Sequence, residues 1–224
     1  MTTDFYPLNY VTRYSLSYEW RLFLCDLKEK AHEHNVTVIL SDDRVVLLKN
    51  GTECNGYFNV VGTEPPTLAI ACGQPQENWL QTLVHESCHM DQWIENTKEW
   101  QDCIVVDNIE ALDLVELWID KKIELNKKQL NYFINASRNI ELDCEKRAVD
   151  KIMKYNLPIT ISEYIQRANS YIFFYTLLKQ TRRWYKIGNE PYNNKEIWTQ
   201  MPNYFISNYD KVPKKVKEVL LKII

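Results

Sequence analysis

Glycine is scarce in this chain: five residues in 224, four of them before residue 85. Glycine is the default residue for sharp turns and left-handed backbone, so the last two-thirds are not expected to be turn-dense sheet. Long apolar runs are missing as well. None approaches the roughly 20 residues a membrane-spanning helix requires. Residues 1–10 lack the charged start and hydrophobic stretch of an export signal, so the chain is expected to work in the cytoplasm, with no membrane partner. Positive charge is not in surplus. The formal net charge is −3, which offers no general footprint for nucleic acid. One basic stretch, residues 211–222, reads as the solvated side of a short amphipathic helix. The six cysteines (Cys25, Cys54, Cys72, Cys88, Cys103 and Cys144) show neither CxxC nor knuckle spacing. With no export signal they read as reduced thiols, mostly packed. There is no internal repeat and no low-complexity linker.

Apolar residues make up 45% of the chain, enough for one well-buried core with a modest helical lobe. Abundant Asn, Lys, Ile and Tyr suggest an AT-rich coding sequence, bacterial or phage. Residues 17–34 carry a helical apolar pattern. Residues 36–40 and 45–48 are β-branched runs that read as a hairpin, and 57–61 and 68–71 as further short strands. Pro75 and Glu77 then mark a helix start, since proline and acid suit a first turn. That helix is expected over about 79–94, with others at 109–126, 128–155 and 161–185 and shorter ones near 194–208 and 214–223. The expected fold is α+β: a small, mostly antiparallel N-terminal sheet packed on the helix at 79–94, followed by a helical C-terminal lobe. Residues 1–100 form the sheet-plus-helix subdomain and 101–224 the helical one, as one compact unit.

Two of the four histidines fall in His85-Glu86-Ser87-Cys88-His89, an HExxH. Residues four apart share a helix face, so both imidazoles can reach one ion. Neutral imidazole suits Zn²⁺. Glu86, about 100° further round, can sit beside the metal without binding it, placed to act as a general base. Leu80, Leu83, Ser87, Met90 and Ile94 gather on one mainly apolar side, whereas the histidines share theirs with Asn78, Gln81 and Gln92. The helix can therefore pack one face on a core and turn the other toward a cleft. Cys88 points about 60° away from His85 and reads as packing. His32 and His34, two apart near a helix end, diverge and read as surface residues.

Two histidines underfill a zinc site. The third ligand is expected from Glu141. On the helix 128–155 an arc holds Ile134, Ser137, Glu141, Cys144, Glu145, Ala148 and Ile152, and carboxylates within an apolar stripe are costly without compensation. Glu141 would ligate, and Glu145 would accept a hydrogen bond from a ligand histidine. The alternative is a stripe that meets solvent, with both carboxylates hydrated.

HExxH followed by Glu141-Leu142-Asp143-Cys144-Glu145 resembles the gluzincin metallopeptidases, which include the thermolysin-like enzymes. Cys144 stands at the small-residue position of their downstream motif, and Glu145 stands where Asp is usual. The resemblance covers two short segments. It implies Glu141 as third zinc ligand, Glu86 as general base and Glu145 as support. It also implies a later Tyr, His or Arg that polarises the scissile carbonyl, for which Tyr185 or Arg183 is placed; the remaining aromatics of that helix read as packing. The expected activity is zinc-dependent hydrolysis of a peptide bond in a peptide or protein substrate, in which a strand such as 68–71 pairs with the extended substrate. Two other readings stand beside it: a zincin-like regulatory or interaction protein that retains the metal with little or no general protease activity, and a metal-free helical interaction protein.

Overall fold

A computed structural model describes residues 15–48, 51–60, 64–106, 109–186 and 188–224. The segment 1–10, the end of the expected strand at 57–61 and the first part of the turn that follows it lie outside these residues. The chain folds as two compact units. The first runs to Glu95 and includes Asp150–Pro158; the second comprises Asn96–Val149 and Ile159–Ile224.

In the first unit, α1 (Tyr18–Glu33) buries Trp20, Phe23, Leu24, Leu27 and Ala31, a helical stripe spaced by three and four. Next come β1 (Thr37–Ser41), β2 (Val46–Leu47), β3 (Glu53–Cys54), β4 (Gly56–Asn59) and β5 (Thr67–Ala71), then α2 (Gln76–Glu95). The main sheet has the order β1-β5-β4. It is mixed rather than mostly antiparallel: β1 lies parallel to β5, from Thr37↔Thr67 to Ser41↔Ala71, and β4 runs antiparallel to β5. The two β-branched runs at 36–40 and 45–48 do not form a hairpin. The carbonyls of Ser41 and Asp43 accept the amides of Cys72 and Gly73, which carries the β1 pairing past β5, and β2 pairs with β3 instead.

β5 is the central strand, and all five of its residues are buried. The expectation that 68–71 pairs with a substrate is therefore wrong, because both of its hydrogen-bonding edges are taken by β1 and β4. Val38, Leu40, Leu68 and Ile70 share one face of the sheet, which follows from the period of two and the register. α2 packs on β4 and β5, and α1 on β1. The opposite face carries a smaller cluster of Val46, Ala69 and Ala71 with Cys54 and Tyr57.

In the second unit, α3 (Lys98–Cys103) leads into the ribbon β6 (Ile104–Val106) and β7 (Ile109–Glu110). There follow α4 (Ala111–Ile119), α5 (Lys127–Lys154, its last turn counted with the first unit), α6 (Ile161–Thr181), α7 (Lys195–Trp198) and α8 (Lys214–Leu220). The ribbon takes Ile109 and Glu110 from the start of the helix expected over 109–126, and α4 ends at Ile119, just before the left-handed Lys121 (φ 62°), so it is shorter than expected at both ends. α6 stops at Thr181 because Arg182 is left-handed, with φ 47°. Glycine scarcity shows at the other helix ends: Asn35, Asn96 and Asn156 take the left-handed positions that close α1, α2 and α5, the substitution asparagine tolerates best. The whole is an α+β fold with small sheets. Among the described residues no helix is long and apolar enough to cross a membrane.

Candidate metal centre

α2 begins directly after β5 because Gly73 permits a close turn. A Cβ there would lie 2.4 Å from the Asp42 carbonyl oxygen and 2.6 Å from that of Asp43, so no other residue fits. Within α2 the His85 and His89 rings stand edge to face, 4.9 Å between centroids, and a ring nitrogen of each lies within 4.8 Å of the other. A tetrahedral zinc ion with two imidazole ligands separates their nitrogens by about 3.3 Å. The pair fits that requirement with a small adjustment of side-chain torsions. Both rings are half-buried.

Two neighbours orient this face. His89 Nδ1 donates to Gln92 Oε1 at 2.8 Å. Glu86 Oε2 accepts the backbone amide of Phe58 at 3.0 Å. The phase of the sheet explains the second contact. The Ala71 amide donates to the Asn55 carbonyl, so alternate residues from Asn55 pair with β5, and Gly56 and Phe58 turn their backbone to the side of β4 away from β5. Gly56 lets α2 come this close, since a Cβ there would lie 2.8 Å from Thr82 Cγ2. Phe58 also packs on Trp93, with ring centroids 5.7 Å apart. Burial pushes the Cys54 thiol up to about 11, and the charge of Glu86 adds to the effect.

The side of α2 turned away from the histidines is held by charge. Asp91 bonds Lys30 at 2.6 Å and Lys151 at 2.7 Å. Lys151 Nζ also donates to Ser87 Oγ at 2.7 Å, and that hydroxyl donates to the Val84 carbonyl. Burial alone pushes the Asp91 carboxyl up, but the two ammonium groups outweigh it and hold the group below its ordinary range.

Glu141, Glu145 and Tyr185 belong to the second unit. The apolar stripe of α5 is buried around Glu145, whereas Glu141 is half-buried. Glu145 is 8% exposed, and Ser137, Cys144 and Ala148 less. Glu141 and Tyr185 share one neighbourhood. Burial is the first cause of the raised Tyr185 phenol, and the Glu141 charge contributes. The same charge reaches Tyr171, Tyr175 and Tyr192, all raised mainly by burial. Tyr171 and Tyr175 meet hydroxyl to hydroxyl at 3.0 Å, and Tyr192 lies 5.6 Å from the Tyr171 ring. Glu110 is pushed up by burial, then by Asp113 and Glu141. Arg183 is exposed. Donors of the kind zinc accepts are therefore His85 and His89 in the first unit and Glu141, Cys144 and Glu145 in the second. Periodicity did not reveal the partners Phe58, Asp91, Lys30 and Lys151, nor the role of Gln92, although Gln92 was already on the histidine side of the helix. His32 and His34 are exposed, as expected.

Comparison with protein-family models, curated proteins and solved structures finds no match to this chain.

Proposed function

We propose that the chain is a zinc-dependent peptidase acting in the cytoplasm on a peptide or protein substrate. The reading is carried by one observation: adjacent His85 and His89 imidazoles on α2, with Glu86 beside them fastened to the Phe58 amide of β4. His85 and His89 are two ligands. The third is Glu141, with the buried Cys144 thiol, one turn on, as the competing donor. Zinc held by these residues would supply Lewis-acid chemistry at the reacting water and carbonyl. Glu86 takes the proton from the attacking water and returns it to the leaving amine, a role its anchored carboxylate suits. Phe58 limits the rotamers of Glu86 by holding one oxygen, which leaves the other for proton transfer. Tyr185, in the Glu141 neighbourhood, is the proposed carbonyl-polarising hydroxyl, and Glu145 supports a ligand histidine.

Metal content and peptide cleavage test this reading in the wild type and in Glu86→Gln, His89→Ala, Glu141→Ala and Cys144→Ala. The expected result is one zinc per chain, lost in His89→Ala and Glu141→Ala. Zinc stays in Glu86→Gln, whose cleavage rate falls by about 10²–10⁴. Loss of zinc in Cys144→Ala with retention in Glu141→Ala would move the third ligand to the thiol. Zinc without turnover of any peptide would favour the regulatory protein, and no zinc uptake at all would sink the metal reading.

A further inference from the structure

Gln92 is completely buried. A primary amide brought out of water costs free energy unless its groups are hydrogen-bonded, and a leucine or methionine would fill the same volume without that cost. Its carbonyl oxygen lies 2.8 Å from His89 Nδ1. A carbonyl oxygen can only accept, so Nδ1 carries the proton and Nε2 keeps its lone pair. The three-residue spacing puts the two side chains on the same helix face, on the side where His85 also stands.

We propose that Gln92 is the positioning residue of the metal centre: it fixes the tautomer and ring orientation of His89 so that Nε2 is presented as the ligand. This rests on the zinc reading above and extends it to a residue outside the HExxH. The acceptor is neutral. It orders the imidazole without adding a second buried negative charge beside Glu86, and the ring stays a neutral donor that exchanges no proton with its support. A carboxylate at position 92 would provide the same acceptor geometry, whereas a leucine would remove it at similar volume.

The test uses full-length protein, stripped of metal and then titrated with zinc against a chelator of known affinity, as wild type, Gln92→Leu and Gln92→Glu. The tautomer of His89 is read independently in the metal-free wild type from its long-range ¹⁵N–¹H correlations. The expected result is an Nδ1–H tautomer in the wild type. Zinc affinity should fall about 10–100-fold in Gln92→Leu and stay within a few-fold of wild type in Gln92→Glu. An Nε2–H tautomer in the wild type overturns the proposal, as does equal zinc affinity in wild type and Gln92→Leu. If Gln92→Leu fails to fold, the wild-type tautomer and the affinity of Gln92→Glu decide. A wild type that takes up no zinc overturns the function proposed above and this role with it, whereas zinc uptake with an Nε2–H His89 overturns this role alone.

Discussion

Replacing Asp91 by Asn should destabilise the first unit by about 3 kcal/mol. Breaking a buried ion pair from one side typically costs about 3–5 kcal/mol, because the other charge is left without compensation. The lower end applies here. Lys30 is 37% exposed on its side chain and can turn to water, but Lys151, at 17%, cannot do so as easily; the Ser87 hydroxyl and the Phe23 ring beside it do not replace the lost carboxylate. The sign of the pH dependence follows from the carboxyl being held below its ordinary value of 3.8. A depressed carboxylate contributes stability above its unfolded pKa and loses it as pH falls through the folded one. The gap between wild type and Asp91→Asn should therefore be full at neutral pH and should close as pH falls below the ordinary carboxylate range. Urea unfolding at a series of pH values measures it, and a thermal melt at neutral pH should show a drop of roughly 6–12 °C. Lys151→Met in the Asp91→Asn background should recover part of the loss, since the stranded ammonium is gone. The reasoning is refuted if Asp91→Asn matches wild type at neutral pH, or if the gap persists unchanged in acid.

Gly56→Ala should cost about 1–3 kcal/mol by overpacking. The new Cβ would meet Ile70 Cδ1 at 2.7 Å and the Ala69 carbonyl oxygen at 3.0 Å, so β4 must shift from α2 and the Phe58–Glu86 bond lengthens. Faster exchange of the Phe58 amide is the expected signature, and unchanged exchange with unchanged stability would count against it. Thiol reactivity should be dominated by Cys25, the one exposed cysteine. Cys103 is pushed up to about 12 by burial and then by Glu110, and Cys54 to about 11. Titration of folded protein with an aromatic disulfide reagent should give one fast phase that Cys25→Ser abolishes; a fast phase that survives would show that burial is not what protects the others.

The helices were legible where apolar spacing ran long: α1, α2, α5 and α8 begin and end within a few residues of expectation. The departures have local physical causes. Arg182 in the left-handed region stops α6 short, Ile109 and Glu110 pair with β6 instead of opening α4, and left-handed Lys121 closes α4 early. Strand existence was readable but strand partners were not. Residues 36–40 and 45–48 looked like a hairpin because only a short polar turn separates them, yet the backbone groups of that turn are bonded to Cys72 and Gly73, about 30 residues away. The central place of β5 followed from the same pairing and removed its expected role with a substrate.

Spacing alone determined that His85 and His89 lie on one face of a helix, since four residues make slightly more than one turn of 3.6. It also put Glu86 beside them and Gln92 on their side, and placed Glu141, Cys144 and Glu145 on a single stripe of α5. Tertiary structure decided what each of these groups touches. Glu86 is fastened by an amide 28 residues earlier, Asp91 collects lysines from α1 and the end of α5, and the charge of Glu141 acts on phenols from α6 and the segment after it. Such contacts join residues far apart in the chain, and they depend on which edges and faces remain open once the sheet and helices have packed. Periodicity describes a single element and its neighbours in sequence, so it carries no information about them.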